Sequence, residues 1–526
     1  MAPPGVSSAE EALLLARVLS AATLGIEGRV LDVEVDVSPG LPCFTIVGLP
    51  DTTVREARER VRSALRNGGF PVPSGAVTVN LAPADFRKVG AALDLPLAIA
   101  LLQIGGLRPA SESRRVYVGE LGLSGEVRPV RGALCLTLAA REAGAEEILL
   151  PSGNAAEAAV VDRIRVTAVS SLTEAVGHLT GSAILPQASA SPGEARPGWA
   201  VDLSEIRGQA VARRALEIAA AGGHHLVFVG PPGAGKTMLA RRLPTILPRL
   251  SREEAIEVTK IHSVAGLMGA GGGLLAEPPF RAPHHGISAP GLVGGGSRLR
   301  PGEISLAHRG VLFLDELPEF RRDVLEGIRQ PIEEKKVTVA RVAGSSVYPC
   351  DFLLAAAMNP CPCGFVGDPR RSCTCDERER LRYARRISGP LLDRIDLHIA
   401  VPAVPWKDLD RTWRAEDSAA VRRRVETARS RAAARSGIPG FRNADTPPAL
   451  FERCLLLDPA ARKMVPALLE RLGLSLRGLH RALRVARTIA DLGQSDCILS
   501  AHLAEAVSYR PRTVFSDRID TAVAGP

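Results

Sequence analysis

The sequence lacks the long apolar runs and the leader that would insert a protein into a membrane or export it. Its most apolar stretch, Leu95 to Leu107, is interrupted by Pro96, Gln103 and two glycines, and a spanning helix needs about 18 uninterrupted apolar residues. The N-terminal segment carries two acids and no basic cluster before its apolar stretch, which is unlike a secretory signal. We therefore expect a cytoplasmic protein without a membrane partner.

The sequence also lacks any fixed-period repeat and the composition of a disordered chain. Hydrophobic residues make up 46% and charged residues 23% of the 526 positions, which is typical of globular proteins. This length leaves room for about three to five domains. The net charge of +9 favours an anionic partner without requiring one.

Changes in pattern divide the chain into an α/β front part and a longer rear part. Short β-rich segments alternate with helical stretches over residues 1–180, which predicts a compact α/β domain. Residues 181–200 are rich in Ala, Ser, Pro and Gly and are predicted to form a linker. A second α/β region is predicted over 201–402, arginine-rich helices over 403–510, and a flexible tail over 511–526.

A nucleotide-binding loop follows the apolar segment that ends at Val229. The pattern GxxxxGK[ST] lies between a predicted strand and a predicted helix, which is the context a phosphate-binding loop requires. Its glycines free backbone N–H groups for phosphates, its lysine reaches the β- and γ-phosphates, and its threonine can ligate Mg²⁺. The loop consists of Gly230, Pro231, Pro232, Gly233, Ala234, Gly235, Lys236 and Thr237.

Two further apolar segments end in polar residues suited to ATP hydrolysis. Asp315 and Glu316 follow one buried strand, and we expect Asp315 to hold Mg²⁺ and Glu316 to activate water. Asn359 ends the next strand and is expected to position that water. Upstream of the loop, Ile206 and Gln209 are candidates for contacts with the nucleotide base.

Four of the nine cysteines cluster within a single segment, over residues 361–375. Cys361, Cys363, Cys373 and Cys375 form a CxC-x9-CxC pattern that can supply four thiolates to a Zn²⁺ ion. One intervening residue departs from the commoner CxxC spacing. Free thiols and a labile disulfide therefore remain alternatives.

Several long strings resemble the YifB/ComM family of magnesium-chelatase-like AAA+ ATPases. They include GPPGAGKT, FRAPHH ending at His285, the run from RPGE through FLDELPEF over residues 300–320, AAMNPCPCG, and SGPLLDRIDLH. The resemblance covers almost the whole chain and implies an AAA+ core of the magnesium-chelatase type with a C-terminal helical lid. It also implies a ring, usually a hexamer, with ATP bound between subunits.

The same resemblance assigns arginines that act on the bound nucleotide. Arg394 matches the arginine that completes a neighbour's site, although a salt bridge to Asp393 or Asp396 is the structural alternative. The second sensor arginine matches Arg477, with Arg481 as the alternative. One helical turn separates these two, and the sequence does not choose between them.

The front domain resembles the Lon-protease-like (S5-like) domain, yet it lacks the catalytic dyad. The position expected to hold the serine falls within Gly90 to Leu93, and the position of the lysine falls within Gly132 to Cys135. Proteolysis of this type needs a hydroxyl activated by an amine. Arg87 and Lys88 remain as groups for contact with nucleic acid or a neighbouring subunit, or for a structural role.

Two segments near the ATP site are expected to face a central channel. Residues 280–300 have the glycine-rich character of a mobile pore loop. Residues 334–347 are predicted to form a hairpin, whose Lys335, Lys336 and Arg341 can contact phosphates. The alternative is a solvated hairpin without substrate contact.

Together these features favour an ATP-dependent ring motor that acts on single-stranded or branched DNA. By resemblance the activity is branch migration during recombination or natural transformation. A protein-remodelling ATPase of the MoxR or chelatase kind is the alternative, and the absent dyad argues against an ATP-dependent protease.

Overall fold

The computed structural model describes residues 15–189, 200–269, 272–295, 299–341, 344–368, 370–404, 416–472 and 475–510. Half of the predicted linker, at 190–199, and the whole predicted tail, at 511–526, lie outside the described residues. The side chain of Arg341 also lies outside them. Within the described ranges, no helix combines the length and the apolar character needed to cross a membrane.

A seven-stranded mixed sheet forms the front part of the chain, in the order β3-β4-β2-β1-β5-β8-β9. Its strands are β1 Leu15–Leu24, β2 Glu27–Ser38, β3 Cys43–Val47, β4 Ala76–Ala82, β5 Arg115–Tyr117, β8 Glu147–Pro151 and β9 Arg165–Val169, and a separate antiparallel pair is formed by β6 Glu120–Leu121 and β7 Val127–Arg128. The helices are α1 Thr52–Asn67, α2 Asp94–Ile104, α3 Ala133–Glu142, α4 Ala155–Ala158 and α5 Leu172–Thr180. The predicted α/β alternation is confirmed.

Helix α1 illustrates how local signals build this part. Asp51 caps its first turn, and its carboxylate accepts the Val54 backbone N–H at 2.8 Å. Buried residues then recur at helical spacing, with Val54, Ala57 and Val61 fully covered. This spacing places one apolar stripe in the core of the front part and leaves Arg55, Arg58 and Arg66 toward solvent.

A five-stranded parallel sheet forms the middle of the chain, in the order β11-β14-β17-β10-β18. Its strands are β10 Leu226–Val229, β11 Phe280–Arg281, β14 Val311–Leu314, β17 Leu353–Met358 and β18 Leu397–Ala400. Short pairs flank it, namely β12 Gly294–Gly295 with β13 Arg300–Pro301, and β15 Lys336–Arg341 with β16 Gly344–Pro349. The last pair is the hairpin that the sequence predicts.

Helices cover this sheet, as expected for parallel strands that are buried on both faces. They are α6 Ala210–Gly222, α7 Lys236–Ile246, α8 Arg252–Ala265, α9 Ala289–Val293, α10 Glu303–Leu306, α11 Arg322–Gly327, α12 Arg329–Glu334, α13 Glu377–Ala384 and α14 Gly389–Leu392. The expected pore loop at 280–300 therefore contains β11, α9 and β12, and its residues 296–298 lie outside the described part.

Five helices end the described chain, and the two longest of them pack on α6. They are α15 Ser418–Ser436, α16 Phe451–Cys454, α17 Pro459–Leu472, α18 Leu476–Leu492 and α19 Ser500–Ser508. One apolar core joins them to the sheet, with Val421, Val425 and Ala428 of α15 packed among residues of α6 and α7. These helices therefore share a core with the helix layer of the parallel sheet.

The arginines of α15 are largely committed to contacts inside the molecule. Arg422 donates to the Thr245 carbonyl at 2.6 Å, and Arg429 donates to the Ala220 carbonyl at 2.7 Å. Arg435 forms an ion pair with Asp491 at 2.6 Å. The arginine-rich character of this helix therefore serves packing to a large extent, which weakens it as an argument for nucleic-acid binding.

The front part docks on α8 of the middle part through buried polar contacts. The Glu157 carboxylate accepts the Ser263 hydroxyl and, at 2.8 Å, the Leu134 N–H. The Gly132 N–H donates to the Ser263 carbonyl at 3.1 Å. Burial raises the pKa of Glu157, although these hydrogen bonds oppose it. The two parts are thus joined by specific contacts.

Candidate nucleotide site

The phosphate-binding loop connects β10 to α7 at the carboxyl end of the parallel sheet. Gly233 and Gly235 have φ of +76° and +88°, a left-handed backbone that favours glycine. A Cβ on Gly230 would lie 2.1 Å from the Val401 carbonyl oxygen. The glycine spacing in the sequence is therefore required by both the backbone conformation and the packing against the residue that follows β18.

Lys236 begins α7, and its amine lies among oxygens of the loop and of the neighbouring strand. Nζ donates to the carbonyls of Gly230 at 2.6 Å and Pro231 at 3.0 Å, and to Asn359 Oδ1 at 3.0 Å. Burial lowers the pKa of Lys236, and the nearby carboxylates of Asp315 and Glu316 oppose this shift. The loop lysine and the residue that follows β17 thus meet in one place.

Thr237 and Asp315 bring two oxygen ligands together beside that lysine. The Thr237 hydroxyl donates to Asp315 Oδ2 at 2.6 Å, because α7 and β14 both place these residues at the same edge of the sheet. Carboxylate and hydroxyl oxygens are the hard donors that Mg²⁺ prefers. The donor types and their proximity fit a Mg²⁺ ion.

Glu316 turns away from the strand immediately after Asp315. Its φ is +53°, which is uncommon for a residue other than glycine, and its side chain is 60% exposed. Its backbone N–H donates to Asp315 Oδ1 at 3.0 Å. The unusual backbone aims the Glu316 carboxylate into the space beyond the strand end rather than into the core.

His285 is a site residue that our sequence reasoning missed. Its Nδ1 lies 3.3 Å from Glu316 Oε2, because β11 runs parallel to β14 and both chains leave the sheet at the same edge. The His284 ring packs against it at a tilt of 34° with centroids 4.1 Å apart, and the Phe320 ring meets it edge-on. The sequence signals this residue only through the family resemblance of the string that it ends.

Replacing His285 by Ala is expected to lower kcat about tenfold while leaving KM for ATP nearly unchanged, because the imidazole orients Glu316 and does not bind substrate. Steady-state ATPase kinetics measure this split. His178→Ala is the control, since it removes an imidazole that pairs with a carboxylate, that of Glu147, at 3.0 Å in the front domain. Equal kinetics for wild type and His285→Ala would contradict the orienting role.

The two candidates for base contacts differ in what the structure offers. Ile206 is fully buried in the core beneath α6. Gln209 caps α6 with φ of +54°, and its amide donates to the Pro402 carbonyl at 2.6 Å and to the Ala234 carbonyl at 3.5 Å. Gln209 thus links the phosphate-binding loop to the segment after β18.

Arg394 lies at the opposite, amino end of the sheet. Its guanidinium forms an ion pair with Glu333 at 2.6 Å and donates to the Pro390 carbonyl at 2.6 Å. The structural alternative named Asp393 or Asp396 as the partner of this arginine. That partner is wrong, because α12 places Glu333 beside Arg394. Arg394 Nε is buried without a hydrogen-bond partner among the described residues.

The two sensor candidates, one helical turn apart, have different surroundings. Arg481 forms an ion pair with Asp396 at 3.0 Å, whereas Arg477 is exposed. Asp396 precedes β18, whose Leu397 pairs with Leu226 at the start of β10. Arg481 and Arg394 both line one cavity of about 400 Å³ at this amino end, away from the phosphate-binding loop of their own chain.

The hairpin presents fewer free cations than the sequence predicts. The Lys335 amine lies 2.6 Å from the Asp445 carboxylate and 3.6 Å from that of Asp351, so its charge is paired within the molecule, and a phosphate contact by Lys335 stays a prediction. Burial raises the pKa of Asp351, but the charges of Arg442 and Lys335 outweigh it and hold the pKa well below its usual value. Lys336 is exposed.

The front domain positions that would carry a protease dyad hold no such pair. Cys135 is buried in α3, and burial raises its pKa to about 12. Lys88 is also buried, its amine donates to the Pro83 carbonyl, and it lies 4.4 Å from the Phe86 ring centroid. The burial of Lys88 agrees with a structural role and excludes a contact of its side chain with a partner at the surface. Arg87, in contrast, is exposed.

The four clustered cysteines are brought together by the loop that follows β17. Their sulfur atoms all lie within 4.8 Å of one another, and Cys361 is buried. No other group of three or more His, Cys, Asp or Glu ligands is found among the described residues. This arrangement is compatible with a Zn²⁺ ion.

Comparison with known proteins matches three successive segments to one enzyme subunit. Residues 33–154 match the family described as subunit ChlI of Mg-chelatase, residues 202–409 match magnesium chelatase, subunit ChlI, and residues 415–510 match its C-terminal part. An archaeal Lon protease of Thermoplasma volcanium is 40% identical over 70 residues, 12% of this chain and 11% of that protein.

Full-length relatives are similar to almost the entire chain. Competence protein ComM of Haemophilus influenzae is 44% identical over 506 residues, 94% of this chain and 97% of that protein. Protein YifB of Escherichia coli, described as uncharacterized, is 42% identical over 499 residues, again 94% and 97%. The chain therefore belongs to the YifB/ComM family of magnesium-chelatase-like AAA+ ATPases.

Proposed function

We propose that this protein is an ATP-dependent ring motor that moves branched DNA. The observation that carries the ATPase part is the meeting of Lys236, Thr237, Asp315, Glu316 and Asn359 at one edge of the parallel sheet, drawn from three separate strand ends. Lys236 binds the phosphates, Asn359 orients the attacking water, and Glu316 takes the proton of that water. Mg²⁺, when bound by Thr237 and Asp315, neutralises phosphate charge.

The arrangement of arginines supports a ring. Arg394 and Arg481 line a cavity at the amino end of the sheet, whereas the phosphate-binding loop lies at the carboxyl end. An arginine on that side reaches a nucleotide only if the nucleotide belongs to another subunit. Arg394 is then the finger that completes the neighbour's site, and a closed ring, usually a hexamer in such ATPases, satisfies every site.

The domain roles follow from the same proposal. The front domain is a Lon-protease-like domain that has lost its dyad and serves as a docking platform on α8, through Glu157 and Ser263. The partial similarity to an archaeal Lon protease supports this assignment. The C-terminal helices act as the lid of the magnesium-chelatase type, with Arg481 rather than Arg477 as the sensor, because Arg481 shares the cavity with Arg394.

Exposed cations near the ATP site support nucleic acid as the substrate. Helix α13 and the residue after it carry Arg378, Arg382 and Arg385 at spacings of four and three, which places them on one helical face. All three side chains are exposed, and Lys336 adds a further exposed cation on the hairpin. A cationic face of this kind neutralises phosphates without reading sequence.

A junction assay tests the DNA part of the proposal. ATP is expected to convert a labelled four-way junction to duplex products, whereas a non-hydrolysable analogue is not. Changing Arg378, Arg382 and Arg385 together to Ala should reduce the slope of log affinity against log salt by about 2 to 3, because each lost phosphate contact contributes about 0.9. Basal ATP hydrolysis should persist.

The matched control removes the same charge elsewhere. Arg55, Arg58 and Arg66 are exposed arginines of α1 in the front domain, and their joint replacement by Ala should leave the salt slope nearly unchanged. Equal losses in both triple variants would mean that overall charge, and not the α13 face, governs binding. If DNA neither binds at low salt nor stimulates ATPase, the protein-remodelling alternative replaces the DNA motor.

A further inference from the structure

The four sulfur atoms of the cysteine loop are spaced as ligands of one tetrahedral ion. Cys361 and Cys363 Sγ are 3.3 Å apart, Cys363 and Cys373 Sγ 3.5 Å, and Cys361 and Cys373 Sγ 3.7 Å. A tetrahedral Zn²⁺ with bonds of about 2.3 Å separates its sulfurs by about 3.8 Å. A disulfide needs about 2.05 Å, so these separations favour a shared ion over a bridge.

The backbone of the loop supports the thiolates in the manner of a metal knuckle. The Cys363 N–H donates to Cys375 Sγ at 3.3 Å, and the Gly364 N–H donates to the Cys361 carbonyl at 3.0 Å. The turn continues through Gly364 with φ of +88°. Because N–H donors stabilise negative sulfur, the fold holds the group ready for a soft divalent cation.

The same loop touches the phosphate-binding loop directly. A Cβ on Gly364 would lie 2.5 Å from Pro232 Cδ and 3.9 Å from Asn359 Cγ. Asn359, two residues before Cys361, accepts the Lys236 amine at 3.0 Å. The cysteine loop therefore packs against Pro232 and Asn359, and its position constrains theirs.

We propose that Cys361, Cys363, Cys373 and Cys375 bind one Zn²⁺, and that the metal-bound loop holds Pro232 and Asn359 in the geometry that binds ATP. Loss of the metal releases the loop, and the wall beside the phosphates moves with it. The metal site stands on the sulfur geometry alone. The dependence of ATP affinity on the metal rests on the proposed ATPase function.

Metal analysis and cobalt substitution test the site itself. Full-length protein purified without chelator is expected to hold one zinc per chain, and exchange with Co²⁺ should produce thiolate-to-cobalt charge-transfer absorption. Cys363→Ser and Cys375→Ser should each lose the metal and this absorption, whereas Cys43→Ser, at an exposed position in the front domain, should retain both. Protein that holds no zinc and gives no cobalt–thiolate spectrum, or that holds iron instead, overturns the assignment.

Two glycines of the loop provide a matched test of the coupling. Gly364 and Gly367 have similar φ, +88° and +75°, but a Cβ on Gly367 would meet nothing within 4 Å among the described residues. Gly364→Ala is expected to raise the Kd for a fluorescent ATP analogue about tenfold or more, while Gly367→Ala changes it less than about twofold. Both variants should keep one zinc per chain.

The outcomes separate the two parts of the proposal. If Gly364→Ala retains zinc and binds ATP like Gly367→Ala, the coupling is wrong while the metal site stands. If the zinc-loaded wild-type protein binds no ATP analogue, the proposed function fails, and the cobalt spectrum still decides the metal site. If zinc removal by chelation leaves the Kd for the analogue unchanged in correctly folded protein, the coupling is again overturned.

Discussion

Replacing Glu316 by Gln is expected to slow ATP hydrolysis by about 10²- to 10⁴-fold while leaving ATP bound. The amide keeps the size of the side chain but cannot take a proton from water. Glu316 projects from a strained turn after β14 with an exposed carboxylate, so its removal leaves the core intact. Single-turnover hydrolysis and binding of a fluorescent ATP analogue, measured on the same preparation, check both halves of the result.

Two variants sharpen this test. Lys236→Ala should lose ATP binding rather than hydrolysis alone, because the Lys236 amine is the group expected to contact the phosphates. Glu319→Gln is the control, since Glu319 lies three residues beyond Glu316 and its carboxylate pairs with Arg386 at 2.7 Å. Wild-type turnover in Glu316→Gln, or equal losses in Glu316→Gln and Glu319→Gln, would refute the assignment of Glu316 as the base.

Replacing Arg394 by Ala is expected to reduce turnover by about 10³-fold or more, as for other arginine fingers. Mixed rings should recover part of the activity. An Arg394→Ala subunit keeps an intact phosphate-binding loop, and the intact Arg394 of a neighbouring subunit can act on the ATP bound there. Mixing Arg394→Ala with Lys236→Ala should therefore restore part of the activity, which a coupled ATPase assay on verified mixed rings measures. No restoration contradicts action between subunits.

Glu333→Gln distinguishes a finger from an ordinary ion pair. Glu333 holds Arg394 at 2.6 Å within the chain, so a purely structural pair would make both single variants equally harmful. A finger predicts that Glu333→Gln retains most of the activity, because Arg394 remains available for the neighbour's nucleotide. Thermal unfolding of both variants controls for a general loss of stability.

Features that depend on contiguous residues were predictable. The phosphate-binding loop is recognisable because the local backbone conformation requires its glycines, and Gly233 and Gly235 adopt the left-handed conformation. The acids after β14 are recognisable because an apolar run that ends abruptly in two carboxylates marks a strand end. The hairpin over β15 and β16 likewise follows from its own alternation of residues.

Features that depend on residues distant in the chain were not predictable from the sequence. The sequence presents Lys335 as a free cation, but the fold brings Asp445 to within 2.6 Å of it. It leaves Lys88 open between a surface contact and a structural role, and only the packing shows that the side chain is buried. His285 carries no functional prediction from sequence, because nothing local to it reveals that β11 lies beside β14. Sequence spacing reports which residues are neighbours along an element, not which elements meet.

The sequence by itself determined the family, the α/β class and the glycine-rich loop between β10 and α7, since these rest on short patterns whose physics is local. Only the tertiary structure decided which charged side chains form ion pairs within the molecule. It also placed Arg394 and Arg481 in one cavity, at the end of the sheet opposite the phosphate-binding loop, and packed Gly364 against Pro232. The physical reason is that ion pairs and close packing form between segments whose approach is set by the whole core, and no local pattern encodes that approach.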